Sequence, residues 1–109
     1  MDNKIHIHIL RNKEGNIYSF KVLNHAESFV CAAVSILALN TVNSIESFTD
    51  EEFVCDFDEN GGYLMFEALE IKNGKHNGDA QLLLKSFYLG ISSIEKEYKE
   101  DISIIEEVL

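Results

Sequence analysis

The 109-residue sequence has no proline, no tryptophan, only two cysteines, and 9 basic residues against 19 acidic ones. Because no proline-rich or Gly/Ser-rich linker interrupts it, we expect a single domain over residues 1–109. The net charge of −10 argues against direct binding of nucleic acid, which relies on Lys and Arg contacts to phosphates. A basic protein partner suits this charge better.

Signal sequences and long apolar runs are also missing. The chain starts MDNKIHIHIL, without the basic start and apolar core of a signal peptide. The longest uncharged stretch, residues 28–45, contains Ser, Asn and Thr, and fits a buried helix better than a membrane span of about 20 apolar residues. We therefore expect a cytoplasmic protein with no membrane partner, in which Cys31 and Cys55 remain unpaired. No cofactor motif such as a Gly-rich phosphate loop occurs, so no cofactor is expected.

The apolar pattern predicts five strands and two helices in the order ββαββαβ. Hairpins separated by single helices predict an antiparallel or mixed sheet with both helices on one face, which is a two-layer α+β sandwich. Gly90 lies inside the second helix, where close packing explains it. The predicted elements are strands at 5–10 and 18–22, a helix with Ser28 as N-cap, strands at 53–58 and 63–69, a helix capped by Asp79, and a strand within 101–108.

Two features near the third predicted strand are expected to be structural. Cys55 alternates with Phe53 and Phe57, which predicts a core position. The acidic run at 50–52, which includes Glu51, is expected to form solvated surface.

His6 and His8 alternate along one strand, so their side chains share a face and could hold a metal. The sequence places no third ligand beside them, and a solvent-facing row explains them equally well. We therefore expect no metal site.

The crossing from the second strand to the first helix carries the most chemistry. With Ser28 as N-cap, Cys31 is the third helical residue, where unpaired amides and the helix dipole favour a thiolate over a thiol. His25 is close enough in sequence for a loop to fold its imidazole onto the sulfur, as a nucleophile and its base require. The alternative is structural, because a cysteine in an Ala-rich helix start is often a small buried residue.

This segment resembles a known signature. His25-Ala26, followed by Val30-Cys31-Ala32-Ala33-Val34-Ser35, is similar to the Gly-His-Ala, loop, Asp-Ile-Val-Cys-Ala-Ala-Val-Ser pattern of the Prp family of bacterial ribosomal-processing cysteine proteases. The resemblance implies a small α+β domain that forms homodimers. It further implies a site in which Cys31 is the nucleophile, His25 the general base and Ser35 a supporting residue, with Asn24 at the family's Gly and Ser28 at its Asp.

The activity implied by the resemblance is removal of an N-terminal extension from a large-subunit ribosomal protein, the one numbered twenty-seven, by cleavage after an aromatic residue. In this mechanism Cys31 attacks the scissile carbonyl, His25 transfers the proton, and amides at the helix start stabilise the oxyanion. The alternative is a non-catalytic homodimeric interaction module of the same fold, associated with the ribosome.

Overall fold

The computed structural model describes residues 3–108, apart from the side chain of Ser28. The element order agrees with the sequence pattern except for one short helix at residue 69, where the fourth strand was expected to end. The elements are β1 (Ile5–Arg11), β2 (Ile17–Leu23), α1 (Ser28–Phe48), β3 (Phe53–Phe57), β4 (Tyr63–Ala68), α2 (Leu69–Lys72), α3 (Gly78–Glu97) and β5 (Ile102–Val108).

The strands form one five-stranded sheet in the order β3-β4-β2-β1-β5. The β1–β2, β2–β4 and β3–β4 pairs are antiparallel, whereas β5 runs parallel to β1. The sheet is therefore mixed, because the chain must cross back along α3 before it can add β5 beside β1. This confirms the predicted fold class.

The hydrophobic core lies between one face of this sheet and the helices. Phe20 of β2 stacks on Phe66 of β4 with ring centroids 5.3 Å apart, and on Phe87 of α3 at 4.3 Å. The helices also pack on each other: a methyl group built on Gly90 would lie 3.1 Å from Leu37 of α1, which confirms close packing as the reason for this glycine. Buried residues at helical spacing in α1 complete the core: Val30, Val34, Ala38, Val42 and Ile45.

Both helix starts differ from the predicted caps. The Glu27 carboxylate, rather than Ser28, caps α1 by accepting the Phe29 N–H at 3.0 Å. The Asn77 side chain, rather than Asp79, caps α3 by accepting the Ala80 N–H at 3.1 Å. In each case several adjacent residues carry a side-chain oxygen. The conformation of the backbone before the helix decides which of these oxygens reaches an unpaired amide of the first turn.

The expected surface position of Glu51 and core position of Cys55 are both wrong. Glu51 is only 6% exposed, because its carboxylate accepts the Glu70 N–H at 3.0 Å and the Asn77 side-chain amide at 3.2 Å. Cys55 is exposed, because β3 is an edge strand with no neighbour on its outer side. Alternation reports which face a residue occupies, and it does not report whether anything covers that face.

The helix α1 is long and apolar enough, from Phe29 to Phe48, to cross a membrane on length and composition alone. Core helices of soluble proteins meet the same criteria. In this structure Val34, Ala38 and Ile45 of α1 are buried in the core with the sheet.

Candidate active site

A pocket of about 420 Å³ lies between the start of α1 and the turn that joins β3 to β4. Four of the five residues selected from the sequence line it: Asn24, His25, Cys31 and Ser35. The fifth, Ser28, begins α1, but its side chain lies outside the described part of the chain. The fold therefore brings the sequence signature together on one concave surface.

The helix start is arranged differently from the expectation. Since Glu27 is the N-cap, Cys31 is the fourth helical residue, and its own N–H donates to the Glu27 carbonyl oxygen at 3.0 Å. The Phe29 N–H is bonded to the Glu27 carboxylate. These two amides are therefore already bonded in this structure. Stabilisation of the oxyanion by amides at the helix start stays a prediction.

The sulfur of Cys31 is instead in contact with the loop that precedes the helix. The half-buried Sγ accepts the Ala26 N–H at 3.2 Å and lies 3.4 Å from the Ala26 carbonyl oxygen, to which a thiol can donate. The loop backbone thus contacts the sulfur through both a donor and an acceptor.

The imidazole of His25 packs against the β3–β4 turn. A methyl group built on Gly62 would lie 2.8 Å from Nε2 of the ring, and one built on Gly61 would lie 3.0 Å from Cε1. Within residues 3–108, no hydrogen bond joins the ring to the Cys31 sulfur. The two groups share the pocket, and a proton transfer between them requires movement of a side chain.

Asn24 connects the same loop to the same turn. Its φ of +75° lies in the left-handed region, which asparagine tolerates better than most residues. Its N–H donates to the Gly62 carbonyl oxygen at 2.9 Å, and its side-chain amide donates to the Lys4 carbonyl oxygen at 3.0 Å. Asn24 therefore fixes the backbone immediately before His25.

The β3–β4 turn also lines the pocket, which no pattern in the sequence predicted. Gly61 and Gly62 lie between the predicted strands at 53–58 and 63–69, and two adjacent glycines are a signal of a turn and also of close approach by another group. The exposed Phe57 and the acidic pair at 58–59 also line the pocket. The remaining predicted residue, Ser35, lies one helical turn beyond Cys31.

The described residues 3–108 contain no group of three or more His, Cys, Asp or Glu side chains placed to hold a metal ion. His8 is near a single acidic partner, with its Nδ1 3.4 Å from a carboxylate oxygen of Glu107 on the neighbouring strand.

Comparison with known proteins identifies the family. The family model described as cysteine protease Prp matches residues 4–103. This chain belongs to the Prp family. The ribosomal processing cysteine protease Prp of Bacillus subtilis strain 168 is 28% identical over 107 residues, which cover 93% of this chain and 96% of that protein.

Solved Prp structures have the same fold. The Prp from S. aureus in complex with a covalently linked product peptide matches with a TM-score of 0.87 and 28% identity, over 94% of this chain and 99% of the other. The S. aureus enzyme with a substrate peptide matches with a TM-score of 0.83 and 27% identity, over the same shares of the two chains. The chain is thus a cysteine protease of the Prp family, and the comparisons favour this prediction over the non-catalytic module.

Proposed function

We propose that this protease removes the N-terminal extension of a precursor of the large-subunit ribosomal protein numbered twenty-seven, with Cys31 as nucleophile and His25 as general base. The observation that carries the proposal is the shared pocket, because Cys31 of α1 and His25 of the preceding loop line the same cavity. The similar proteins named ribosomal processing cysteine proteases support the substrate class.

The chemistry follows from the two side chains. His25 accepts the thiol proton, and the sulfur attacks the scissile carbonyl carbon, forming a C–S bond and a tetrahedral oxyanion. When this intermediate collapses, the C–N bond breaks and His25 returns the proton to the leaving amine. Water, deprotonated by His25, then hydrolyses the thioester and regenerates the thiol. Ser35 and Asn24 support the site without exchanging protons.

The pocket walls support a substrate with both apolar and basic character. Leu39 and Phe57 provide apolar surface, while Asp58 and Glu59 place two carboxylates along the same cavity. A cleavage sequence with an aromatic residue, in the tail of a basic ribosomal protein, is complementary to both features. The net charge of −10 also supports a protein substrate reached without direct contact to RNA.

We further propose that the enzyme acts as a single domain in the cytoplasm and forms a homodimer. The sheet face opposite the helices supports the dimer, because it carries apolar side chains that are partly exposed: Leu10, Leu23, Met65 and Ile105. Analytical ultracentrifugation should then give twice the 12.4 kDa chain mass. Met65→Lys, which places a charge on that face, should shift the mass towards the monomer, and an unchanged mass would assign the dimer to another surface.

The decisive experiment incubates the purified chain with the precursor and determines the product's new N-terminus by mass spectrometry. We expect cleavage after an aromatic residue, and a fall of at least about 10⁴-fold in rate for Cys31→Ala. Cys55→Ser is the matched control, because this thiol lies outside the pocket, and its rate should equal that of the wild type. Retained cleavage in Cys31→Ala would refute the mechanism, and an intact precursor with the wild type would refute the substrate.

A further inference from the structure

The His25 ring occupies space that only glycine leaves open. A Cβ atom on Gly62 would lie 2.8 Å from Nε2 and 3.2 Å from Cδ2, and one on Gly61 would lie 3.0 Å from Cε1. Cβ atoms essentially never lie within 3.0 Å of another heavy atom, so a Cβ at position 62 displaces the ring, whereas one at position 61 requires the ring to shift by a few tenths of an ångström. Two consecutive positions of the β3–β4 turn therefore face one imidazole, and a side chain at either position would move the ring.

The glycine pair is itself held in place by hydrogen bonds within the hairpin. The Gly61 N–H donates to the Asp58 carbonyl oxygen at 2.9 Å, and the Asp58 N–H donates to the Tyr63 carbonyl oxygen at 3.1 Å. The Asn24 N–H donates to the Gly62 carbonyl oxygen at 2.9 Å. The turn thus binds the backbone just before His25 and supports the ring of His25 at the same time.

We propose that the Gly61–Gly62 turn is a positioning platform for the His25 imidazole, so that both glycines act on catalysis through His25 and not through the substrate. The inference rests on the proposed function for the role of the imidazole, whereas the contact between ring and turn is independent of it. A substitution in the platform should impair proton transfer between Cys31 and His25. It should therefore change the rate at which Cys31 reacts even with a reagent too small to need the peptide-binding surface.

A glycine in the other hairpin supplies a matched control. Gly61 and Gly62 have φ values of +82° and +85°, so alanine at either position is strained regardless of the ring. Gly15 in the β1–β2 turn has a φ of +88°, and a Cβ there would meet nothing within 4 Å. Gly15→Ala therefore carries the backbone strain without the contact.

The experiment follows alkylation of Cys31 by iodoacetamide between pH 5 and 9 in a Cys55→Ser background, where Cys31 is the only thiol. We expect His25→Ala to slow alkylation near pH 6 by about tenfold or more, because it removes the imidazole that accepts the thiol proton once a side-chain movement brings the ring to the sulfur. Gly62→Ala should move the rate towards that of His25→Ala. The double variant His25→Ala/Gly62→Ala should be alkylated no more slowly than His25→Ala alone. Gly15→Ala should be alkylated at the rate of the Cys55→Ser parent.

Two further measurements separate a displaced ring from a damaged fold. The thermal midpoint of Gly62→Ala should fall further than that of Gly15→Ala, and His25→Ala should remove this excess, because it removes the group in contact. The NMR resonance of the His25 Cε1–H should shift in Gly62→Ala and stay in place in Gly15→Ala. If Gly62→Ala does not fold, Gly61→Ala replaces it in these measurements. In that case the double variant His25→Ala/Gly62→Ala should fold again, because the ring that the alanine contacts is gone.

The outcomes separate this inference from the proposed function. Suppose that His25→Ala slows alkylation, while folded Gly62→Ala has the alkylation rate and the His25 Cε1–H chemical shift of the parent. The platform is then refuted and the dyad stands. Strict additivity of the two substitutions in both alkylation and thermal midpoint also refutes the platform. If His25→Ala leaves alkylation unchanged, the dyad fails and the catalytic part of this inference fails with it, whatever the NMR shift shows.

Discussion

The two β-hairpins of this fold have the same local construction and different surroundings. The β1–β2 hairpin lies inside the sheet, where β1 pairs also with β5 and β2 pairs also with β4. In the β3–β4 hairpin, β3 pairs with β4 alone and its central residues are exposed. Position in the sheet, rather than hairpin sequence, therefore places the inner hairpin and β4 in the core and leaves the edge strand β3 and its turn to line the candidate active site.

The turns of the two hairpins are also stabilised in different ways. In the first turn the Asn12 side chain accepts the amides of Glu14 and Asn16, both at 3.0 Å, and donates to the Ile71 carbonyl oxygen at 3.0 Å. In the second turn the Asp58 carboxylate accepts the Asn60 N–H at 2.9 Å. The first turn is closed by a buried side chain. In the second turn the space beside the two glycines is occupied by the His25 ring.

The largest effect that tests this comparison is expected from the aromatic core of the inner hairpin. Phe20 is fully buried between Phe66 and Phe87, so Phe20→Ala removes a large apolar side chain and leaves a cavity. We expect the free energy of unfolding, measured in urea, to fall by about 3–5 kcal/mol.

Phe57→Ala in the outer hairpin is the matched control. Its side chain is 57% exposed, so we expect a loss below about 1 kcal/mol. Because Phe57 lines the pocket, this variant should instead raise the KM for the precursor peptide. Equal losses of stability for the two variants would contradict the assignment of the inner hairpin to the core.

Much of the fold was predictable because the strands alternate and the helices repeat at three to four residues. The alternation of Ile5, Ile7 and Ile9 correctly identifies the buried face of β1. The exposure of Cys55 was not predictable, because strand order depends on pairings between distant segments that local periodicity does not contain. The same limit hid Glu51, whose partners lie about twenty residues or more away along the chain.

A smaller loss of stability is expected in the first turn. Asn12→Ala removes three hydrogen bonds, one of them buried, and should lower the free energy of unfolding by about 2–3 kcal/mol. Asn60→Ala changes the asparagine of the second turn, whose side chain is exposed, and should change stability by less than about 0.5 kcal/mol. A similar loss in both variants would show that the two turns are held alike.

The base of the outer hairpin should respond more weakly than the first turn. Glu51 lies just before β3 and accepts the amide of Glu70 just after β4, so it holds the two ends of this hairpin together. Glu51→Ala should cost about 1–2 kcal/mol in urea unfolding. Glu51→Gln, which keeps an acceptor oxygen, should recover part of the loss, and no difference between the two variants would contradict a role for the hydrogen bonds.

The sequence predicted four of the residues that line the pocket, and it did not predict how their atoms are arranged. The spacing of His25 and Cys31 around a strand-to-helix crossing places both at one pocket. With Glu27 as the cap, the helix starts one residue earlier than predicted. Sequence patterns do not locate a helix end to within one residue. This difference still decides which amides of the first turn are bonded within the helix. The contact between His25 and the glycine turn joins segments about 35 residues apart, so no local pattern contains it.

The smallest expected effect concerns the thiol of the outer hairpin. The Cys55 side chain is exposed as a whole, and the partial burial of its sulfur still raises the pKa of the thiol above its ordinary value, with the neighbouring Asp56 carboxylate raising it further. In Cys31→Ala, where Cys55 is the only thiol, the pH profile of iodoacetamide alkylation should therefore have its midpoint above that of a free cysteine. Asp56→Asn should lower the midpoint only in part, because burial is the larger cause.

The same raised pKa has a small consequence for stability. Since the thiol form is favoured in the folded state, its contribution is fully present below the pKa of the unfolded chain and is lost as the pH rises through the higher folded pKa. Above about pH 9 the free energy of unfolding of the parent should fall slightly faster than that of Cys55→Ser. An alkylation midpoint at or below that of a free cysteine would contradict the partial burial of the Cys55 sulfur and the influence of Asp56.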